Sequence, residues 1–225
     1  MTQHIGFVIF PDLTQLDFTG PLQVLSRLPG WKAHIIAKTM DPVPSDCGLS
    51  LVPTATFADC PPLDALCVPG GFGVDQAVED EALLEFVRLQ GQRAKYVTSV
   101  CTGAFVLGAA GLLKGKRATT HWAYHALLER VGAIPERGRV VRDGNLFTGG
   151  GVTAGIDFGL VLAEEIAGAT TAQAIQLALE YDPAPPFDAG SPERASGDVL
   201  AVIGPRYAPR RTAFEAILDR VTARL

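Results

Sequence analysis

The 225-residue sequence is poor in charge: only 19% of its residues are charged, and they sum to −5. Without a basic surplus it has nothing to neutralise a phosphate backbone, which excludes a nucleic-acid binder. Long apolar runs are missing as well. Stretches such as Phe105–Leu113 fall far short of the roughly 20 residues that a membrane span requires. The opening residues Met1–Asp12 carry no basic segment and run straight into a strand pattern, so no secretory signal is read there. Cysteine is sparse: Cys47, Cys60, Cys67 and Cys101 form no C-x-x-C pair, which leaves neither a zinc ribbon nor a thioredoxin motif. A chain of this size needs no disulfides to fold. These absences predict a soluble cytoplasmic protein with no membrane or nucleic-acid partner, folded as one domain over residues 1–225.

What is present is an alternation of apolar β-type runs with helical segments. His4–Phe10, Trp31–Lys38, Ala65–Val68 and Tyr96–Val100 read as buried strands, and Pro42–Phe57 reads as irregular edge structure. Glu79–Lys95, Thr102–Leu113, Trp122–Val131, Thr153–Ala167 and Thr171–Tyr181 read as helices. Leu13–Leu28 is helical in part, with Pro21 marking a break or a start. Asp143-Gly144 between two apolar runs signals a hairpin. Asp182–Gly197 reads as a surface excursion and Arg210–Arg224 as a closing amphipathic helix. Short, continuously apolar strands alternating with helices predict an α/β fold, a mostly parallel sheet with helices on both faces. Ligands in such folds bind beyond the carboxyl ends of the strands. Those ends here are Pro11–Asp17, Pro69–Gly73 and Cys101–Gly103.

The strongest chemical signal lies where strand Tyr96–Val100 stops at Cys101 and a helix begins at once with Thr102-Gly103-Ala104. A sharp strand-to-helix turn exposes a nucleophile at the top of an α/β sheet. Helix N–H groups there are expected to favour the thiolate; against this stands the ordinary fate of a free cysteine, which is to be a small buried hydrophobe. Asp17 falls at the same edge between Leu16 and Phe18, where burial would raise its pKa into a useful acid/base range. Taken alone, Asp17 is better read as a helix N-cap. Pro69-Gly70-Gly71-Phe72-Gly73 can aim backbone N–H groups at one spot, or simply turn the chain. It is not a G-x-G-x-x-G dinucleotide fingerprint. His121 and His125 have i, i+4 spacing without a third ligand, so capping or packing is favoured over a metal. Gly149-Gly150-Gly151 reads as a close-packed helix entry in preference to a flexible loop.

The cysteine turn, the Pro-Gly-Gly segment and an acid after the first strand together resemble the DJ-1/PfpI superfamily. Longer runs resemble its isonitrile-hydrating branch: Gln15-Leu16-Asp17 with Thr19-Gly20-Pro21, Phe57–Asp64, Tyr96–Gly103, Gly115–Trp122, Arg139–Asn145, Thr148–Phe158 and Leu179–Pro192. The similarity runs over residues 4–192, leaving 192–225 as a helical tail that it does not reach. The resemblance implies a flavodoxin-like sandwich, a homodimer, a Cys101 nucleophile and an acidic partner at Asp17. It also implies backbone amides of Gly71 and Thr102 at anion-stabilising positions. The expected reaction adds water to an isonitrile through a Cys101 thioimidate, with Asp17 as acid/base, Thr102 assisting, and neither a metal nor an organic cofactor. Other cysteine chemistry of the superfamily (glyoxalase- or deglycase-like) and a non-catalytic redox sensor are the alternatives. The peptidase-like branch carries His after its cysteine, where Thr102 stands here. Regulators with such a sensor domain add a helix-turn-helix region, for which the roughly thirty residues after Gly190 are too few.

Overall fold

A computed structural model describes residues 2–223. The chain runs β1 (Gln3–Val8), α1 (Gln15–Leu25), β2 (Trp31–Ala37), β3 (Val43–Pro44), β4 (Ser50–Leu51), β5 (Ala55–Thr56) and β6 (Ala65–Val68). It continues through α2 (Val74–Ala77), α3 (Glu81–Arg93), β7 (Tyr96–Val100), α4 (Gly103–Ala109) and β8 (Arg117–Ala118). A 3₁₀ helix (Trp122–Val131), β9 (Ile134–Pro135), β10 (Val140–Asp143) and β11 (Leu146–Gly149) follow, then α5 (Ala154–Ala167), α6 (Ala169–Ala178) and α7 (Gly197–Thr222).

The main sheet has seven strands in the order β10-β11-β7-β6-β1-β2-β5, parallel throughout except for the β10–β11 hairpin. Its central strands β6 and β7 are buried at every residue, as a strand covered on both faces must be. The hydroxyl of Thr98, deep in β7, is satisfied by donating to the Leu66 carbonyl at 2.8 Å. Helices α1, α5 and α6 pack together on one face, and α2, α3, α4, the 3₁₀ helix and α7 on the other. Asp80 starts α3 by accepting from the N–H groups of Ala82 and Leu83, and turns Leu83, Phe86 and Val87 inward. Phe86 then stacks on Phe57 at 4.7 Å.

The site follows from strand order. Strand β6 lies between β1 and β7, and all three run the same way. The segments after Val8, Val68 and Val100 therefore emerge side by side at one sheet edge.

The sequence reading departs from the structure in three helices. Helix α4 stops at Ala109, because Gly111 turns the chain at φ +78°. Trp122–Val131 winds as a 3₁₀ helix rather than an α-helix. The closing helix begins at Gly197, well before Arg210, and Ser196 caps it by accepting from the Val199 N–H at 3.4 Å. Pro205 and Pro209 lie inside this helix, and both are exposed. Arg224, the predicted end of this helix, lies outside the described residues.

Helix α7 is seated by Phe214, Leu218 and Val221, all buried. The Phe214 ring meets Phe105 edge-on at 5.0 Å. Arg130 pairs with Glu215 and Asp219, and Arg220 with Glu79 at 2.9 Å, exposed pairs that add little beside the apolar contact. Phe214→Ala is accordingly expected to lower unfolding stability by about 3–5 kcal/mol, read from urea denaturation. A loss within the range of a surface substitution would show that α7 does not depend on this seat.

Candidate active site

Cys101 occupies the turn between β7 and α4 with φ +55°, a conformation that costs a non-glycine residue about 1–3 kcal/mol and is held only where the surroundings enforce it. They do so here with three hydrogen bonds. The Cys101 N–H donates to the carbonyls of Gly149 (3.1 Å) and Gly150 (2.8 Å). The Thr120 hydroxyl donates to the Cys101 carbonyl at 2.7 Å. The glycine run and the Thr119-Thr120-His121-Trp122 segment are therefore the braces of this turn.

Asp17 is the third residue of α1, and Thr14 takes the N-cap position. The capping reading of Asp17 is thereby overturned. Its carboxyl is fully buried, with Oδ2 accepting from the Gly70 N–H at 2.9 Å and Oδ1 without a hydrogen-bond partner. Gly70 is required for this approach. A Cβ there would stand 2.5 Å from the Thr102 nitrogen and 2.9 Å from Asp17 Oδ2. Burial raises the Asp17 pKa from 3.8 to about 7, against the lowering effects of the Gly70 N–H and the Cys101 thiol.

The thiol behaves otherwise than the sequence led one to expect. Burial, and next the charge of Asp17, push Cys101 well above its ordinary pKa, outweighing the lowering by the Thr102 N–H. The short α4 contributes too little to win. Two acidic groups thus share one desolvated spot, and an ionised Asp17 opposes ionisation of the thiol.

The thiol lines a cavity of about 60 Å³. Thr102 and Gly71 line it beside Cys101, together with Thr14, Phe72, Asp75, His121, Tyr124, Val152, Tyr207 and Phe214. Asp17 lies behind the thiol, not on the cavity wall. The Gly71 amide also differs from expectation: at φ +125° it bridges Leu13 and donates to Thr102 Oγ1 at 3.0 Å. It is spent inside the protein, which leaves the Thr102 N–H as the donor aimed at the sulfur.

The remaining candidates resolve simply. His121 Nδ1 accepts from the Ala123 N–H at 3.3 Å as a cap, and the His125 ring meets the Glu136 carbonyl at 3.1 Å. Among the described residues no group of three potential metal ligands occurs, and no helix is long and apolar enough to cross a membrane. All four cysteines are free. Cys67 is sealed in β6, and its thiol is pushed up to about 12 by burial. The residues that sequence reasoning missed are the aromatic wall, above all Tyr207 and Phe214. Their signal was present: positions 207, 214, 218 and 221 fall on one face of a continuous helix.

The pattern of the DJ-1/PfpI family matches residues 3–165. The chain belongs to this family. It is 58% identical over 225 residues to the isonitrile hydratase of Pseudomonas putida, covering 100% of this chain and 99% of that relative. A ThiJ/PfpI family protein from Pseudomonas syringae superposes with a TM-score of 0.93 at 46% identity, covering 99% of this chain and 91% of that one. Drosophila melanogaster DJ-1beta, 24% identical, shares the fold with a TM-score of 0.69 over 80% of this chain and 98% of its own.

The raised Asp17 pKa has a consequence for stability. Between pH 3.8 and about 7 the folded state holds a proton that the unfolded state releases. That contribution is complete below pH 3.8 and lost as the pH rises through about 7, worth about 4 kcal/mol at 1.36 kcal/mol per pH unit. Asp17→Asn is expected to remove this part of the pH dependence, so that the variant gains on the wild type as the pH rises from 4 to 8. Parallel urea-unfolding curves at every pH would refute the buried, raised carboxyl.

Proposed function

We propose that the protein is an isonitrile hydratase that converts R–N≡C and water to an N-substituted formamide. The observation that carries this reading is the 58% identity, end to end, with the isonitrile hydratase of Pseudomonas putida. It is supported by a cysteine held in a strained turn at a cavity with a buried carboxyl behind it.

The chemistry suits that arrangement. An isonitrile carbon receives both the nucleophile and the proton, because a thiol adds across that one atom. The acid must therefore stand beside the sulfur and not across the cavity, which is where Asp17 lies. In the first step the Cys101 sulfur bonds to the isonitrile carbon, and the proton shared with Asp17 moves to the same carbon. The product is the thioimidate R–N=CH–S–Cys101, with Asp17 ionised. Water then adds to the C=N bond: hydroxide goes to carbon and a proton to nitrogen, with Asp17 relaying the proton. Collapse of R–NH–CH(OH)–S–Cys101 breaks the C–S bond, forms the formamide carbonyl and returns the hydroxyl proton to the Cys101–Asp17 pair. The Thr102 N–H steadies the sulfur as it leaves, and its hydroxyl, which accepts from the Gly71 N–H at 3.0 Å and donates to the Gly71 carbonyl at 3.2 Å, holds that donor in place. Addition of water transfers no electrons, so the scheme calls on no redox cofactor. The same reading carries a cytoplasmic setting and a homodimer, the latter testable by sedimentation.

Incubation with an alkyl and an aryl isonitrile should yield formamide by NMR, with an intact-mass adduct equal to the whole isonitrile. Cys101→Ser should abolish both signals. Asp17→Asn should lower turnover by about 10²–10⁴-fold, the usual worth of a positioned acid/base. Near-full turnover of Cys101→Ser would end the covalent scheme. Turnover of methylglyoxal with none of any isonitrile would move the protein to another activity of its family.

A further inference from the structure

The scheme above leaves the wall opposite Cys101 without a task, and that wall is built by α7. The Tyr207 ring stands 5.1 Å from His121, 5.4 Å from Trp122 and 6.2 Å from Tyr124, centroid to centroid. Phe214, seven residues on and 1% exposed, closes the floor 5.9 Å from Tyr124. Between them Arg210 lays its guanidinium 3.8 Å over the ring of Phe72, which tethers the helix to the cavity rim. These rings line the same cavity as Cys101, a space of about 60 Å³, so they are the apolar surface open to a group carried on the sulfur. Phe214 cannot give way, because it is locked against Phe105.

Tyr207 is only half-buried. It lies between Pro205 and Pro209, which cannot donate hydrogen bonds to the preceding turn. The helix is weakest where this ring enters the cavity.

We propose that Tyr207 is the specificity-determining residue for the isonitrile R group: R packs on its ring, and its bulk sets the width of substrate accepted. This rests on the hydratase reading for its substrate, but not for the wall itself.

The test compares wild type, Tyr207→Ala, Tyr207→Leu and Tyr207→Phe in two assays. In turnover, kcat/KM is measured for methyl and phenyl isonitrile. In labelling, the rate of Cys101 alkylation by N-phenylmaleimide is compared with that by iodoacetamide, a readout that needs no catalysis. Tyr207→Ala and Tyr207→Leu should shift the phenyl-to-methyl ratio toward phenyl by about tenfold, or about 1.4 kcal/mol. Both should speed maleimide labelling relative to iodoacetamide, while Tyr207→Phe should keep both wild-type ratios. Unchanged ratios in a folded Tyr207→Ala or Tyr207→Leu protein would overturn the proposal. If the wild type makes no formamide at all, the hydratase reading falls, and the labelling ratios alone decide whether Tyr207 guards the thiol.

Discussion

The burial of the Asp17 carboxyl beside the Cys101 thiol is the constraint on which the site depends. Neither group is in water, and the charge of Asp17 raises the cost of ionising Cys101, while the Cys101 thiol eases the ionisation of Asp17. Two nearby acids in such a place cannot both be charged near neutrality. The fold supplies only modest compensation: one N–H from Gly70 to Asp17 and one from Thr102 toward the sulfur. A carboxylate with several donors would sink toward an ordinary pKa. The unpartnered Oδ1 of Asp17 is the visible sign of a site left short of donors.

The rest of the edge holds this pair in place. Gly70 permits the approach of three chain segments that any side chain would separate. The strained turn at Cys101 is fastened by the Gly149 and Gly150 carbonyls on one side and the Thr120 hydroxyl on the other. Parallel neighbours β1, β6 and β7 bring these segments together, so the chemistry at position 101 is inseparable from the strand order.

Much of this was legible in the sequence because the central strands carry unbroken apolar runs. Ala65–Val68 and Tyr96–Val100 were read with the bounds they have, and Cys101 stands out because a helix follows it without a loop. The direction of the thiol's pKa was not legible. A helix N-terminus is visible in sequence, whereas the depth of burial and the presence of Asp17 behind the sulfur belong to the assembled fold. The Gly71 amide was misjudged for a related reason: its N–H is turned onto Thr102 by a bridge to Leu13, distant in sequence. The early start of α7 at Gly197 was not legible, and Pro205 and Pro209 lie within the added turns. Proline weakens a helix from within, but two prolines four residues apart on the solvent side leave the packed face intact. Recognising that would have brought Tyr207 and Phe214 to the cavity in advance.

Infrared difference spectroscopy across pH 5 to 9 reads the protonated carboxyl of Asp17 and the S–H of Cys101 in one experiment, with Asp17→Asn and Cys101→Ala proteins to assign the bands. Loss of a single proton from the pair near pH 7, with the second retained well above neutrality, is the expected result. A carboxylate already ionised at pH 5, or thiolate and carboxylate both present at pH 7, would contradict it.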